Sequence, residues 1–118
     1  MEYMLLIHAD PAALQAMRDA ERSTSLAAYG AYSEALVKAG VMRGGNRLRT
    51  ADAATTIKVR DGKTEVLNGP FIETREQLGG YYLIDVPDLD TAMQWAARCP
   101  GASHGAVEVR PIWAMGEA

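Results

Sequence analysis

The sequence has few residues that could staple, ligate or steer it. Cys99 is the only cysteine, so no internal disulfide can form, and a lone thiol suits the cytoplasm. There are two histidines, His8 and His104. Together with Cys99 they match no compact ligand spacing, so no metal and no other cofactor is expected. Phe71 is the only phenylalanine. No apolar run approaches the ~20 residues of a membrane-crossing helix. The opening stretch Met4–Ile7, preceded by Glu2, is too short and wrongly charged for an export signal. Basic excess is also missing: 12 Lys and Arg against 15 Asp and Glu leave a formal charge of −3. A nucleic-acid binder needs a basic surface, so direct nucleic-acid binding is not expected. Arg43, Arg47 and Arg49 form the one candidate basic strip. They share a strand parity, which reads as a solvated edge. Repeats and low-complexity tracts are absent.

What remains describes an ordinary folded domain. The 118 residues are 48% hydrophobic and 23% charged, enough for one soluble domain that buries about two-thirds of its unfolded surface without staples. Tyr3 to His8 is a continuous apolar run and reads as a strand buried on both faces. Asp10-Pro11 starts a short helix reaching about Arg18, with Ser23-Thr24-Ser25 as a break. A main helix follows from about Thr24 to Ala39, with Tyr29, Tyr32, Leu36 and Ala39 on one face and Gly40 as its stop. Val41 to Thr50 reads as a strand broken or bulged at Gly44-Gly45. Thr55–Arg60 and Lys63–Leu67 flank Asp61-Gly62, a two-residue hairpin signal. Gly80 to Val86 is a second apolar strand. Asp88 or Asp90 caps a helix to about Arg98, with Leu89, Met93 and Ala96 or Ala97 expected inside. Ala106 to Trp113 is the last strand, and the tail beyond Met115 is expected to fray. An antiparallel sheet with two main helices on one face and an extra β-hairpin accommodates this α+β order.

The stretch Asn68 to Tyr82 organises the rest. Gly69-Pro70 forces a turn. Thr74 and Gln77 have capping-box spacing, which predicts one helical turn, and Gly79-Gly80 would end it. Asn68-Gly-Pro-Phe-Ile-Glu-Thr-Arg-Glu resembles the DGPF–AETKE signature of the YCII-related (DGPF-domain) family. Tyr3-Met-Leu-Leu-Ile, Leu78-Gly-Gly-Tyr-Tyr-Leu-Ile, Asp88-Leu-Asp with Trp95-Ala-Ala, and Val107-Glu-Val-Arg-Pro-Ile extend the resemblance over nearly the whole chain, as one domain. The resemblance implies a ferredoxin-like fold of the dimeric α+β barrel type. It implies no agreed reaction, and for many members an association with sigma factors of the extracytoplasmic-function type. Asn68 stands where the signature has Asp, and Ile72 where it has Ala.

The first strand also argues for a homodimer on physical grounds. Met4, Leu6 and His8 point to one face, and Tyr3, Leu5 and Ile7 to the other. Helices cover only one face, and the other would expose an apolar patch of several hundred Å2, more than monomers usually show. A second subunit packed sheet to sheet is the simplest cover.

Polar residues under that cover are the candidates for chemistry. If Val107 and Val109 face the helices, Glu108 and Arg110 share the face of His8. His8 would be the base, Arg110 would hold an anionic oxygen, and Glu108 would set the histidine tautomer. The structural alternative is a Glu108–Arg110 salt bridge at the subunit seam, with His8 satisfying a backbone group. Asn68 cannot take up a proton at neutral pH, so any carboxylate role in the loop would fall to Glu73. The competing readings are a turn role for Asn68 and capping for Glu73. Phe71 is expected to anchor the loop in the core or in a pocket wall. Tyr82 is a candidate to present its hydroxyl to a ligand, against the default of a buried, satisfied tyrosine.

Two function classes fit. One binds a small acidic or aromatic metabolite between the sheet face and the partner subunit, with proton transfer or hydrolysis as its chemistry. The other is a regulatory module without chemistry, in line with the sigma-factor association that the resemblance implies.

Overall fold

The computed structural model describes residues 1–117. Strands β1 (Glu2–Ala9), β2 (Met42–Arg47), β5 (Gln77–Asp85) and β6 (Ala106–Pro111) form one sheet in the order β2-β5-β1-β6. Every neighbouring pair is antiparallel. Strands β3 (Thr55–Arg60) and β4 (Lys63–Asn68) form a separate two-stranded hairpin. Helices α1 (Pro11–Gln15), α2 (Asp19–Lys38) and α3 (Leu89–Arg98) complete the chain. Leaving out α1 and the hairpin, this is the β-α-β-β-α-β order of a ferredoxin-like α+β fold.

The alternation in β1 sets the layers. Tyr3, Leu5 and Ile7 are buried, whereas Met4, Leu6 and His8 are half-buried. The buried set packs with Tyr82, Ile84 and Val86, with Tyr32 and Leu36 of α2, and with Ala92, Ala96 and Cys99. Fully burying a side chain such as Leu5, Leu36 or Ile84 is worth about 1.5–3 kcal/mol. The Tyr32 hydroxyl donates to the Trp95 carbonyl at 2.6 Å, and its ring meets those of Tyr82 and Trp95 edge-on at 5.3 and 6.2 Å. Burial raises the pKa of the Tyr29 and Tyr32 hydroxyls, so both stay neutral hydrogen-bonding groups.

Several local expectations change. α2 begins at Asp19, because Ser23-Thr24-Ser25 does not break it: Thr24 Oγ1 donates back to the Ala20 carbonyl at 3.0 Å. α3 turns Ala92 and Ala96 inward, leaving Leu89 and Met93 about half exposed. Small alanines let the helix sit close, and Trp95 with Tyr32 fills the space beside them. Thr74 to Gln77 makes no helical turn. Gln77 opens β5, and its amide donates to the Ile72 and Thr74 carbonyls at 2.9 and 3.0 Å, holding the loop from within. Gly79-Gly80 lies inside β5, where the register against β1 shifts between Ile7 and His8. The chain near Met115 forms a turn in which Ala114 N–H donates to Glu117 Oε2 at 2.8 Å; Ala118 lies outside the described residues.

Asp88 is the cap of α3. It accepts from Thr91 N–H at 2.8 Å and from Thr91 Oγ1 at 2.7 Å. Those bonds hold its carboxyl below the usual aspartate range. A lowered folded-state pKa stabilises above the unfolded value, and the gain is lost as pH falls through the folded one. Asp88→Ala is therefore expected to melt at a lower temperature at pH 7. The gap from wild type should narrow as pH falls below about 4 in a calorimetric series.

Candidate functional site

The open face of the sheet carries two cross-strand rows, set by register. One runs Asn46, Tyr81, Leu6, Glu108, and the next Gly44, Leu83, Met4, Arg110. Its centre is apolar and half-buried, and its rims are polar. Asn46 Nδ2 donates to the Tyr81 hydroxyl at 2.8 Å on one flank. On the other, Glu108 stands between His8 and Arg110.

His8 Nε2 lies 3.4 Å from Glu108 Oε1. The second oxygen, Glu108 Oε2, accepts from Arg110 Nε at 2.9 Å and from its Nη2. Arg110 first, then His8, holds the Glu108 carboxyl below the usual range. A carboxylate at Nε2 favours the tautomer with hydrogen there and leaves Nδ1 free to accept a proton.

An open cleft of about 720 Å3 lies at the His8 end of β1, lined by His8, Asp10, Ala13, Thr74, Arg75, Glu76, His104 and Ala106. Chain folding brings these together from three stretches of the chain. Asp10 caps α1, accepting from Ala12 N–H at 2.9 Å, and meets Arg75 Nε at 3.3 Å across the cleft. The Ala12 bond and then Arg75 hold the Asp10 carboxyl low. His104 arrives after the turn Pro100–Ser103, because Gly105 presses against the His8 carbonyl and Ala9 Cα. Among the described residues no three His, Cys, Asp or Glu side chains converge as a metal site would require.

The structure gathers His8, Glu108 and Arg110, of which only His8 lines the cleft and Arg110 is paired to Glu108, and separates the remaining candidates from them. Glu73 is exposed on the loop and does not line the cleft. Asn68 ends β4 opposite Thr55, also exposed and outside the cleft. Phe71 is no core anchor: it is 65% exposed, with Lys58 Nζ 5.0 Å from its ring centre. Tyr82 is buried on the helix side, where its hydroxyl shares a 2.7 Å hydrogen bond with Ser33 Oγ. The tyrosine on the open face is Tyr81. Asp10, Arg75 and His104 are the lining residues the sequence did not bring together. The separation of Asp10 and Arg75 along the chain hid them, and Asp10 also had a sufficient reason to exist as a cap.

Residues 1–116 match the YCII-related domain. The chain belongs to the YCII-related family. A family relative from Rhizobium meliloti, an uncharacterized protein, is 37% identical over 114 residues, covering 95% of this chain and 92% of the relative. A similar solved structure is 5-chloro-2-hydroxyhydroquinone dehydrochlorinase (TftG) from Burkholderia phenoliruptrix in complex with 2,5-dihydroxybenzoquinone. It superposes with a TM-score of 0.55 at 18% identity, covering 98% of this YCII-related chain and 96% of that one. At that identity the likeness carries the fold. No helix among the described residues is long and apolar enough to cross a membrane.

Proposed function

We propose that this YCII-related protein binds a small acidic or hydroxyaromatic metabolite in the cleft at the end of β1, and that His8 moves a proton on it. The observation that carries this is the meeting of both histidines of the chain at one cleft, with Glu108 3.4 Å behind His8 Nε2. Glu108 stabilises the imidazolium that forms when His8 takes a proton. Arg75, exposed and tied to Asp10 by one 3.3 Å contact, can turn to an anionic oxygen of the ligand. His104 supplies a second donor. The same base could activate water, so hydrolysis is the neighbouring chemistry. The fold neighbour was solved with a dihydroxybenzoquinone, and dehydrochlorination of a hydroxyhydroquinone also requires loss of a proton; this supports hydroxyaromatics as the first class to try. Homodimerisation through the open face and a cytoplasmic setting for the unpaired Cys99 belong to the same reading.

A thermal-shift screen of hydroxybenzoates, hydroxyquinones and small carboxylic acids tests it. A compound at a hundred times its dissociation constant should stabilise the protein by about 2.7 kcal/mol. The reading expects at least one such compound. A library that shifts nothing contradicts it and favours the regulatory module with a sigma-factor partner.

A further inference from the structure

The hairpin β3–β4 stands apart from the body. A chain of this length packed into one body has a radius of gyration of about 13.5 Å, whereas this one measures 16.3 Å, with extents of 48 × 47 × 18 Å. The thin dimension fits one sheet with one layer of helices. The long ones include an arm that no strand of the main sheet pairs with.

The arm has two unlike sides. Its turn is well formed, with φ of 51° at Asp61 and 73° at Gly62, as a type I′ turn requires. Register puts Thr55, Ile57, Val59, Thr64, Val66 and Asn68 on one side. Lys58, Arg60, Lys63 and Glu65 share the other, with Thr56 and Leu67 near its root. Ile57, Val59 and Val66 are each more than half exposed. An isolated two-stranded hairpin is marginal in water, and β-branched residues suit a half-buried strand face rather than one left in water. That face is shaped to be covered, and its own body does not cover it.

We propose that the arm is exchanged between two copies of this chain, and that the Ile57–Val59–Val66 face of each arm lies on the other copy beside its cleft. The reach fits. Six residues per strand give the arm a length of about 20 Å, and four strands give the sheet a width of about 19 Å. The area fits too. Open sheet faces alone offer about 400 Å2 per subunit, half the ~800 Å2 of a stable interface. Each arm adds about 200 Å2 where it is given and as much where it is received, which reaches that value. A second copy therefore covers the two uncovered apolar surfaces of this chain at once, and neither surface suffices alone.

The place on the second copy follows from where the arm leaves. Its root is tied by Gly69 N–H to the Ala54 carbonyl at 2.8 Å, and the chain before it by Leu48 N–H to the Gly79 carbonyl at 2.9 Å. That is the end of the sheet where His8 pairs with Leu78. A twofold axis parallel to the strands sets the two cleft ends, and both arm roots, side by side. The cleft itself is lined by polar side chains and by Ala13 and Ala106, whereas ligand pockets are mostly apolar. The received arm supplies the missing wall. This last role rests on the ligand reading above; the exchange does not.

A spin label tests the exchange directly. Chains labelled at Lys63→Cys, near the arm tip on its charged side, are mixed with unlabelled 15N chains. Relaxation broadening is expected in the 15N chains at His8, Ala9 and Ala106. Dimers without such broadening, or monomers at all concentrations, overturn the proposal. Val59→Lys with Val66→Lys gives a second reading by sedimentation. The dimer dissociation constant should rise at least a hundredfold while each subunit stays folded, and an unchanged constant overturns the proposal. Neither readout involves a ligand, so a failed ligand screen leaves them standing.

Discussion

Gly105→Ala is expected to unfold this protein more readily than a methyl added at any other glycine. A Cβ at Gly105 would overlap the His8 carbonyl oxygen and sit 3.2 Å from His8 C and 3.3 Å from Ala9 Cα. All three are backbone atoms of β1, so no side chain can swing aside. Relief requires β1 and β6 to separate where His8 pairs with Ala106. Overpacking typically costs about 1–3 kcal/mol, and backbone atoms that cannot swing aside put this site at the upper end. For a domain of this size that lowers the melting temperature by on the order of 10 °C. Gly30→Ala is the control of opposite sign. Nothing lies within 4 Å of a Cβ there, and a helix interior prefers alanine by about 1 kcal/mol. Melting curves of the two variants should move in opposite directions. A Gly105→Ala protein that melts with the wild type would mean that β1 and β6 do not meet as described.

His8→Gln is the second large effect. Glutamine keeps the length and a hydrogen-bonding end but cannot take up a proton. The rate of proton transfer on a bound hydroxyaromatic should fall by about 10²–10⁴. Affinity should fall less than tenfold, because Arg75 and His104 still face the ligand. The split between kcat and KM is the informative readout. A loss confined to KM would make His8 a binding group rather than a base.

Much of the architecture was legible because local and global signals agreed. The continuous apolar run from Tyr3 to His8 named the strand and strand parity its two faces, although only the Tyr3, Leu5 and Ile7 side is fully buried. Asp61-Gly62 named its turn, and Asp88, one of two cap candidates with Asp90, marked a helix start. Parity put Glu108 and Arg110 on the face of His8 once the valines of β6 were placed against the helices; the contact itself is a diagonal one set by register. Other features depended on partners no local pattern reveals. Thr74 and Gln77 have capping-box spacing, yet the Gln77 amide spends its donors on loop carbonyls. Leu89 and Met93 have helical spacing, yet α3 turns its alanines inward because Trp95 and Tyr32 fill the gap beside them. Phe71 is the only phenylalanine, which suggested an anchor in the core or a pocket wall, but it sits on an exposed loop beside Lys58 and outside the cleft. The cleft was the least legible feature. Asp10 and Arg75 lie 65 residues apart, and His104 reaches them through the close packing of Gly105.

The most direct test of the functional account is an NMR titration of the 15N protein with a panel of hydroxybenzoates and hydroxyquinones. Amide shifts are expected to concentrate at His8, Asp10, Arg75, His104 and Ala106, and His8→Gln should weaken them without moving their location. Shifts gathered around Trp113 instead, or none with any compound, would contradict a ligand site at the end of β1.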